Sequence, residues 1–275
     1  MAPMDEFQRE QEILLELDSA GRVMVNKLAA KFGVSTVTVR KDLDALERRS
    51  LLRRIRGGAV SAGTTDEGAF VIRLRHSVEA KKAIAREVAP LVRHGDVIAM
   101  DSSTTCFYLA HELLDRRNLV VVTNGLRVAN LFMERSTAMV LMPGGVLRRS
   151  AASMVGPIGD ILAGRGQIDK GFFGVVGLST EHGLMDIVVE EAQTKAFLAG
   201  VCKHVYGIFD STKAGRFALH SFAGTDRVDA LYTDDGIDPS IVDAWAAVDV
   251  PVHTTPSPSV APVTGILSAE TSDPA

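Results

Sequence analysis

The sequence predicts two folded units of different class: a small, mostly helical unit ending in a β-hairpin, then a larger α/β unit on a mainly parallel sheet. Three observations carry this. Between Val25 and Leu46, apolar residues recur at spacings of three and four, the period of amphipathic helices. From Val97 onward, short apolar runs alternate with helical patterns, as in a parallel sheet covered on both faces. Charge is also divided: residues 22–58 hold ten Lys or Arg against three Asp or Glu, so they carry +7 while the rest of a chain of net charge −4 carries −11. A dense basic patch on an acidic body is the electrostatic footprint of a nucleic-acid-binding unit joined to something else.

The bounds are simple. A length of 275 residues, 46% of them hydrophobic and 23% charged, is that of one large or two modest globular domains. No apolar run approaches the roughly 20 residues of a membrane span, and the polar start MAPMDEFQREQE is not a secretory signal. A cytoplasmic protein is expected. Two cysteines, Cys106 and Cys202, are too few for a disulfide framework or a structural zinc site, and both are expected as small buried hydrophobes. No cofactor, metal site or internal repeat is expected.

Taken in order, residues 5–19 read as a first helix with Ile13, Leu14 and Leu17 inward and Ala20-Gly21 closing it. In the second, Val25, Leu28, Ala29 and Phe32 form one apolar stripe, and Gly33 suits a left-handed C-cap. Ser35 offers a hydroxyl to the N–H groups of a third helix, whose Val39, Leu43 and Leu46 face inward. Its outward residues Thr36, Thr38, Arg40 and Lys41 are slim at the start and cationic behind. A helix reading the major groove needs that distribution, because its first turn reaches base edges while its flank holds phosphates. The plainer alternative is a solvated helical hairpin within a bundle. The alternating run SLLRRIRGGAV, with Arg53, Arg54 and Arg56 before Gly57-Gly58, signals a basic hairpin. Three helices and such a hairpin make a winged helix-turn-helix, its arginines placed for the DNA backbone or minor groove.

The run V-x-V-x-x-L-A-x-x-F-G-V-S-x-x-T-V-R-K-D-L-x-x-L-E, from Val23 to Glu47, closely resembles the DNA-binding domain of DeoR-type bacterial transcriptional repressors. Gly57, Gly58 and Ala59 match that family's wing. Arg56 stands where the family usually has histidine, and Val25 where a capping residue is common. The missing cap should cost about 1 kcal/mol of helix stability. DNA contacts are therefore expected from Ser35, Thr36, Val37, Thr38, Arg40, Lys41, Arg53, Arg54 and Arg56. The domains expected are 1–60 for this unit (helix-turn-helix about 23–48), 61–78 for a linker, 79–252 for the α/β unit, and 253–275 for a Pro-, Ser- and Thr-rich disordered tail.

In the α/β unit, strands are expected at Val97–Met100, Leu119–Val122, Ala138–Leu141, Phe172–Val176, Val205–Phe209 and Ala230–Tyr232, with helices at 79–92 and about 104–115, 125–134 and 190–202. In such Rossmann-like sheets the ligand lies beyond the carboxyl ends of the strands. There the sequence places Asp101-Ser102-Ser103-Thr104-Thr105, Thr123-Asn124-Gly125, Pro143-Gly144-Gly145 with Arg148 and Arg149, Gly177-Leu178-Ser179, and Asp210-Ser211-Thr212-Lys213. Each loop alone reads as helix capping, but together they suit an anionic small molecule. This half resembles the DeoR-type sensor domain, which is similar in fold to ribose-phosphate isomerases and glucosamine-phosphate deaminases. The matching positions are Glu79 and Lys82, the D-S-S-T-T loop, Thr123-Asn124, Gly144-Gly145, Arg148, Gly156, Glu191 with Lys195, Asp210-Ser211, Lys213 and Thr233-Asp234. Ser103 stands where the family commonly has glycine. The resemblance implies a phosphorylated sugar or related metabolite as effector, its phosphate on Ser102–Thr105 and Lys213 and its hydroxyls on Asn124, Arg148 and Glu191. It also implies repression of a carbohydrate operon, relieved when the effector binds.

The alternative is a sugar-phosphate isomerase- or deaminase-like enzyme with an appended DNA-binding domain, for which Glu191 and His182 are the candidate bases. None of the seven histidines sits at a triad or metal spacing, and no catalytic residue is assigned. Three tyrosines and one tryptophan supply no stacking platform for single-stranded RNA. A single reading helix covers few base pairs, so a homo-oligomer, dimer or tetramer, is expected on a duplex DNA operator.

Overall fold

The computed structural model describes residues 4–48, 51–60, 70–156 and 167–256. Helix α1 (Glu6–Ala20) opens on a capping box, with Asp5 accepting from the Gln8 N–H at 2.7 Å, and closes on left-handed Gly21. Strand β1 (Arg22–Met24) leads into α2 (Val25–Phe32) and α3 (Thr36–Arg48), and β2 (Arg53–Ile55) and β3 (Gly58–Val60) form the wing. The three strands pair in the order β1-β3-β2. Gly58 is forced: a Cβ there would stand 2.0 Å from the Val23 carbonyl oxygen. Ile13, Leu14, Leu17, Leu28, Val39, Leu43 and Leu46 form the core, all at most 2% exposed. The N-cap of α2 is Met24, one residue ahead of the expected Val25, and no side chain caps the helix there.

One ion pair crosses this core. Asp42, 1% exposed, accepts from Arg9 Nε at 2.9 Å and Nη2 at 3.1 Å, locking α1 to α3. The pair is bidentate and enclosed, which gives it more weight than surface charges have.

The expected linker needs correction. Residues 70–75 form a helix, α4 (Phe70–Arg75), because Phe70 and Ile72 bury themselves between the two units; residues 61–69 lie outside the described residues. Helix α5 (Val78–Val88) follows. Then come β4 (Val97–Met100), α6 (Thr104–Glu112), β5 (Val120–Thr123), α7 (Leu126–Arg135), β6 (Met139–Leu141), β7 (Val146–Arg148) and β8 (Ser153–Val155). The chain continues through β9 (Ile168–Phe173), β10 (Gly177–Ser179), β11 (Gly183–Asp186), α8 (Val189–Gly200), β12 (Cys202–Ile208), β13 (His220–Ala223), β14 (Ala230–Asp234), α9 (Pro239–Ala246) and β15 (Val252–Thr255).

Seven strands make the main sheet, all parallel, in the order β15-β14-β12-β9-β4-β5-β6. One core lies on the face with Ile84, Met100, Leu109, Phe132 and Phe172, and another on the face with Ala99, Phe173, Leu198, Phe209 and Trp245. Neighbouring residues of one strand enter opposite cores, so both faces are apolar and the strands read as near-continuous runs. Cys106 and Cys202 are buried, as expected.

Three further differences are physical. The expected strand Phe172–Val176 stops at Phe173, because the Gly174 N–H leaves the ladder to donate to Asp101 Oδ2 at 2.9 Å. The β7–β8 hairpin and the antiparallel sheet β10-β11-β13 were not expected; their three- and four-residue strands are too short to show a period. The expected tail begins too early, since His253–Thr255 belong to β15 and pair with Tyr232–Asp234; residues 257–275 lie outside the described residues.

Candidate DNA interface and effector cavity

In the N-terminal unit the turn between α2 and α3 forms as its residues dictate. Gly33 is left-handed at φ +65°, and Ser35 Oγ accepts from the Thr38 N–H at 3.0 Å. Thr38 Oγ1 also meets Ser35 Oγ at 2.9 Å, so its hydroxyl is partly engaged at home. Val37 is 69% exposed at the tip of α3, an apolar residue that none of the described residues covers. Arg40 and Lys41 are exposed on α3, and Arg53 and Arg56 on the wing. Arg54 differs from its neighbours. Its guanidinium pairs with Asp44 and donates to the Arg40 and Gly58 carbonyls, each at 3.3 Å. Glu47 accepts its backbone N–H at 2.7 Å, so Arg54 fastens the wing to α3.

In the main sheet, β5 lies on one side of β4 and β9 on the other, which makes the carboxyl ends of β4 and β9 the point where strand order reverses. A cavity of about 370 Å³ opens there. Ser103, Thr104 and Thr105 line it from the start of α6, Gly174 and Val175 from the end of β9, and Asp210, Thr212 and Lys213 from the turn after β12. Its remaining wall brings Arg73, His76, Lys81 and Arg216 to the same space. Among the described residues, four cations, five hydroxyls and a helix start thus face one small volume against the single carboxylate of Asp210, an arrangement matched to an anion. Ser103, where the family commonly has glycine, caps α6 by accepting from the Cys106 N–H at 3.1 Å.

Behind the cavity two enclosed charge clusters set the loops. Lys195 Nζ lies 3.0 Å from Asp101 Oδ2 and 2.8 Å from Asp186 Oδ2, and donates to the Gly174 carbonyl at 3.0 Å. Burial pushes the Asp186 carboxyl up, but the Lys195 ammonium and the Val188 and Ile187 N–H groups outweigh it and hold it below the usual range. Asp101 therefore serves as a brace, accepting from the Ser103 and Gly174 N–H groups at 2.9 Å each. In the second cluster Glu191, 3% exposed, pairs with Arg148 at 2.7 Å, accepts from Asn124 Nδ2 at 3.0 Å and from the Ser153 hydroxyl.

Of the effector residues expected from sequence, Ser103, Thr104, Thr105 and Lys213 line the cavity, while Asp101 and Ser102 lie buried at its edge. Thr123 accepts from the Gly125 N–H at 3.0 Å and shapes its own turn. Asn124, Arg148 and Glu191 come together, but in the neighbouring cluster. Gly144 and Gly145 are exposed; Gly145, at φ +138°, lets the hairpin close against the Val155 carbonyl. Glu79 and Lys82 pair with each other at the surface at 2.8 Å, and Lys81 is the residue enclosed at the cavity. Arg73, His76 and Lys81 were missed because they precede the first strand of the sheet, and Arg216 because it lies further along the β12 connection than the residues next to the strand end. His182, a candidate base on sequence, sits at the surface beside Glu181 and far more open than Glu191.

A winged helix-turn-helix joined to a sheet with an anion-shaped cavity at its switch point defines a DNA-binding regulator with a sensor domain. Residues 9–65 match the DeoR-like helix-turn-helix domain and residues 76–235 match the DeoR C terminal sensor domain. The chain belongs to the DeoR family of transcriptional regulators. It is 31% identical over 233 residues to a putative aga operon transcriptional repressor of Escherichia coli O157:H7, covering 84% of this chain and 87% of that protein. It is likewise 31% identical over 231 residues to the glycerol-3-phosphate regulon repressor of Escherichia coli strain K12, covering 84% and 92%. The solved ribose 5-phosphate isomerase A of Methanocaldococcus jannaschii overlays 49% of this chain and 53% of that chain, at 14% identity and a TM-score of 0.37. The family and these named relatives are regulators of transcription, so the chain is a regulator rather than an enzyme. No helix among the described residues is long and apolar enough to cross a membrane.

Proposed function

We propose that this chain is a cytoplasmic repressor of a carbohydrate operon, released from its operator when a phosphorylated sugar or related metabolite enters the cavity at the ends of β4 and β9. The observation that carries this reading is the convergence of Arg73, Lys81, Lys213 and Arg216 with Ser103–Thr105 on about 370 Å³. That volume is at the small end for ligand pockets and suits a single sugar phosphate. The phosphate would take the N–H groups and hydroxyls opening α6 together with Lys213. Asn124 Oδ1 is buried without a partner among the described residues, which supports a hydroxyl of the effector reaching the Asn124–Glu191–Arg148 cluster. The names of the relatives support the choice of a carbohydrate operon.

On DNA, Ser35–Thr38 would meet base edges and Arg40, Lys41, Arg53 and Arg56 the phosphates, with Arg54 setting the wing's angle. Two copies or more would be needed to read repeated half-sites. The test begins by selecting duplexes from a random pool with the full-length chain, then titrating the complex with a panel of sugar phosphates. At least one should bind tighter than millimolar and lower the duplex affinity. A panel of which none binds, with duplex affinity unaltered throughout, ends the reading.

A further inference from the structure

Helix α4 is shared by the two units. Ile72, 8% exposed, belongs to the apolar core of the DNA-binding unit and also lines the effector cavity, as Arg73 does. Arg75 Nη1 lies 3.6 Å from Glu12 on α1. At its start, the Phe70 N–H donates to the Ser150 carbonyl in the β7–β8 turn at 2.8 Å. So short a helix leaves its last carbonyls without intrahelical partners. Side chains of the sensor domain supply partners, beside the His76 N–H that donates to the Arg73 carbonyl at 3.3 Å. Lys81 Nζ donates to the Arg73 carbonyl at 2.7 Å and to the His76 carbonyl just beyond the helix at 2.8 Å, and the Tyr108 hydroxyl donates to the Leu74 carbonyl at 3.0 Å.

Lys81 is therefore in two places at once. It is 4% exposed, it holds the end of α4, and it stands at the wall of the cavity with Asp210 Oδ2 at 3.9 Å. An ammonium has three donors, and a phosphate oxygen competes for them better than neutral carbonyls do, since a charge-assisted bond is about twice as strong. We propose that Lys81 is the residue that couples effector to operator: the anion draws its ammonium off the Arg73 and His76 carbonyls, α4 loosens, and Ile72 shifts in the core of the DNA-binding unit. This rests on the reading that the cavity takes an anion. The free energy transmitted is the difference in Lys81's contacts between two arrangements of α4, as a population shift requires.

The experiment uses the full-length chain, the selected duplex, and glycerol 3-phosphate and glucose 6-phosphate as probes, with amide hydrogen exchange read on α4 and on β4 and β9. Binding of either probe should raise α4 exchange roughly tenfold, the scale of one charged hydrogen bond, and leave β4 and β9 unchanged. Lys81→Met keeps the stem and removes the charge. It should show the raised α4 exchange and weakened duplex binding with no probe present, and bind probe roughly tenfold less tightly. Tyr108→Phe loosens α4 from outside the cavity, so duplex binding should weaken while probe affinity stays within about twofold.

The outcomes separate the two claims. If a probe binds the parent chain and α4 keeps its protection, the anion reading stands and the coupling role of Lys81 is overturned. Failure of both probes to bind removes the anion reading for them and the switch with it. Should Lys81→Met also lose protection in β4 and β9, Tyr108→Phe decides: a loosened α4 with unaltered duplex affinity overturns the proposal.

Discussion

Enclosed ion pairs hold this protein's working parts, and they behave differently from the surface charges around them. Arg9 is the only described donor that meets the Asp42 carboxylate from α1, so Arg9→Ala leaves a buried carboxylate without its partner. We expect a loss of about 3 kcal/mol, read from the urea midpoint, with the DNA-binding unit opening first. Asp186 bears on pH. Its folded carboxyl titrates below the unfolded range of about 4, so the stability it contributes is present above that range and is lost as pH falls through the folded value. Asp186→Asn should lower stability at neutral pH and flatten the loss below about pH 4, measured as urea midpoint against pH. Burial pushes the Cys202 thiol up to about 12 and raises that of Cys106 well above its usual value, so neither should react with thiol reagents at neutral pH while the chain is folded.

At the scale of elements, the wing and the cavity loops each rest on one close approach. Arg53 and Arg56 are free of the ties that hold Arg54, so alanine at either should weaken binding to all duplexes and reduce the salt slope by about one. Arg54→Ala should act less through salt and more through a wing freed from Asp44 and Glu47. Both effects are read from duplex affinity against salt concentration. In the sensor domain a Cβ on Gly174 would come within 2.3 Å of Ser103 Cβ. Gly174→Ala should displace the start of α6 and weaken sugar-phosphate binding roughly tenfold or more by calorimetry, since one misplaced anion contact is worth that much.

For the whole molecule, a basic head on an acidic body makes duplex association steep in salt and keeps the body off the polyanion. A duplex carrying one half-site should bind roughly tenfold or more weakly than one carrying two in phase, at about 10.5 base pairs or its multiples. Equal affinity for both would remove the oligomer from the reading. The helices of the head were legible in the sequence because Val25, Leu28, Val39, Leu43 and Leu46 carry a local period and Gly33 and Ser35 carry local conformations. Strands β4, β5 and β14 were legible because a sheet covered on both faces needs unbroken apolar runs. The loops that follow such strands were legible for the same reason, which is how Ser103–Thr105 and Lys213 were found.

Other features depend on which distant segments meet, and no local pattern encodes that. Nothing local marks Asp42 as enclosed; only the packing of α1 on α3 brings Arg9 to it. Arg54 read like Arg53 and Arg56, and only the packing of the wing on α3 set it apart. Lys81 and Lys82 are adjacent and chemically alike; the turn of α5 sends one into the cavity and the other to solvent. By itself the sequence determined the two units, their strand and helix types and the DeoR kinship, because those follow from periods and short-range sterics. The folded chain alone decided which charges are enclosed and that α4 joins the cavity to the DNA-binding core, because burial and pairing are properties of contacts far apart along the chain.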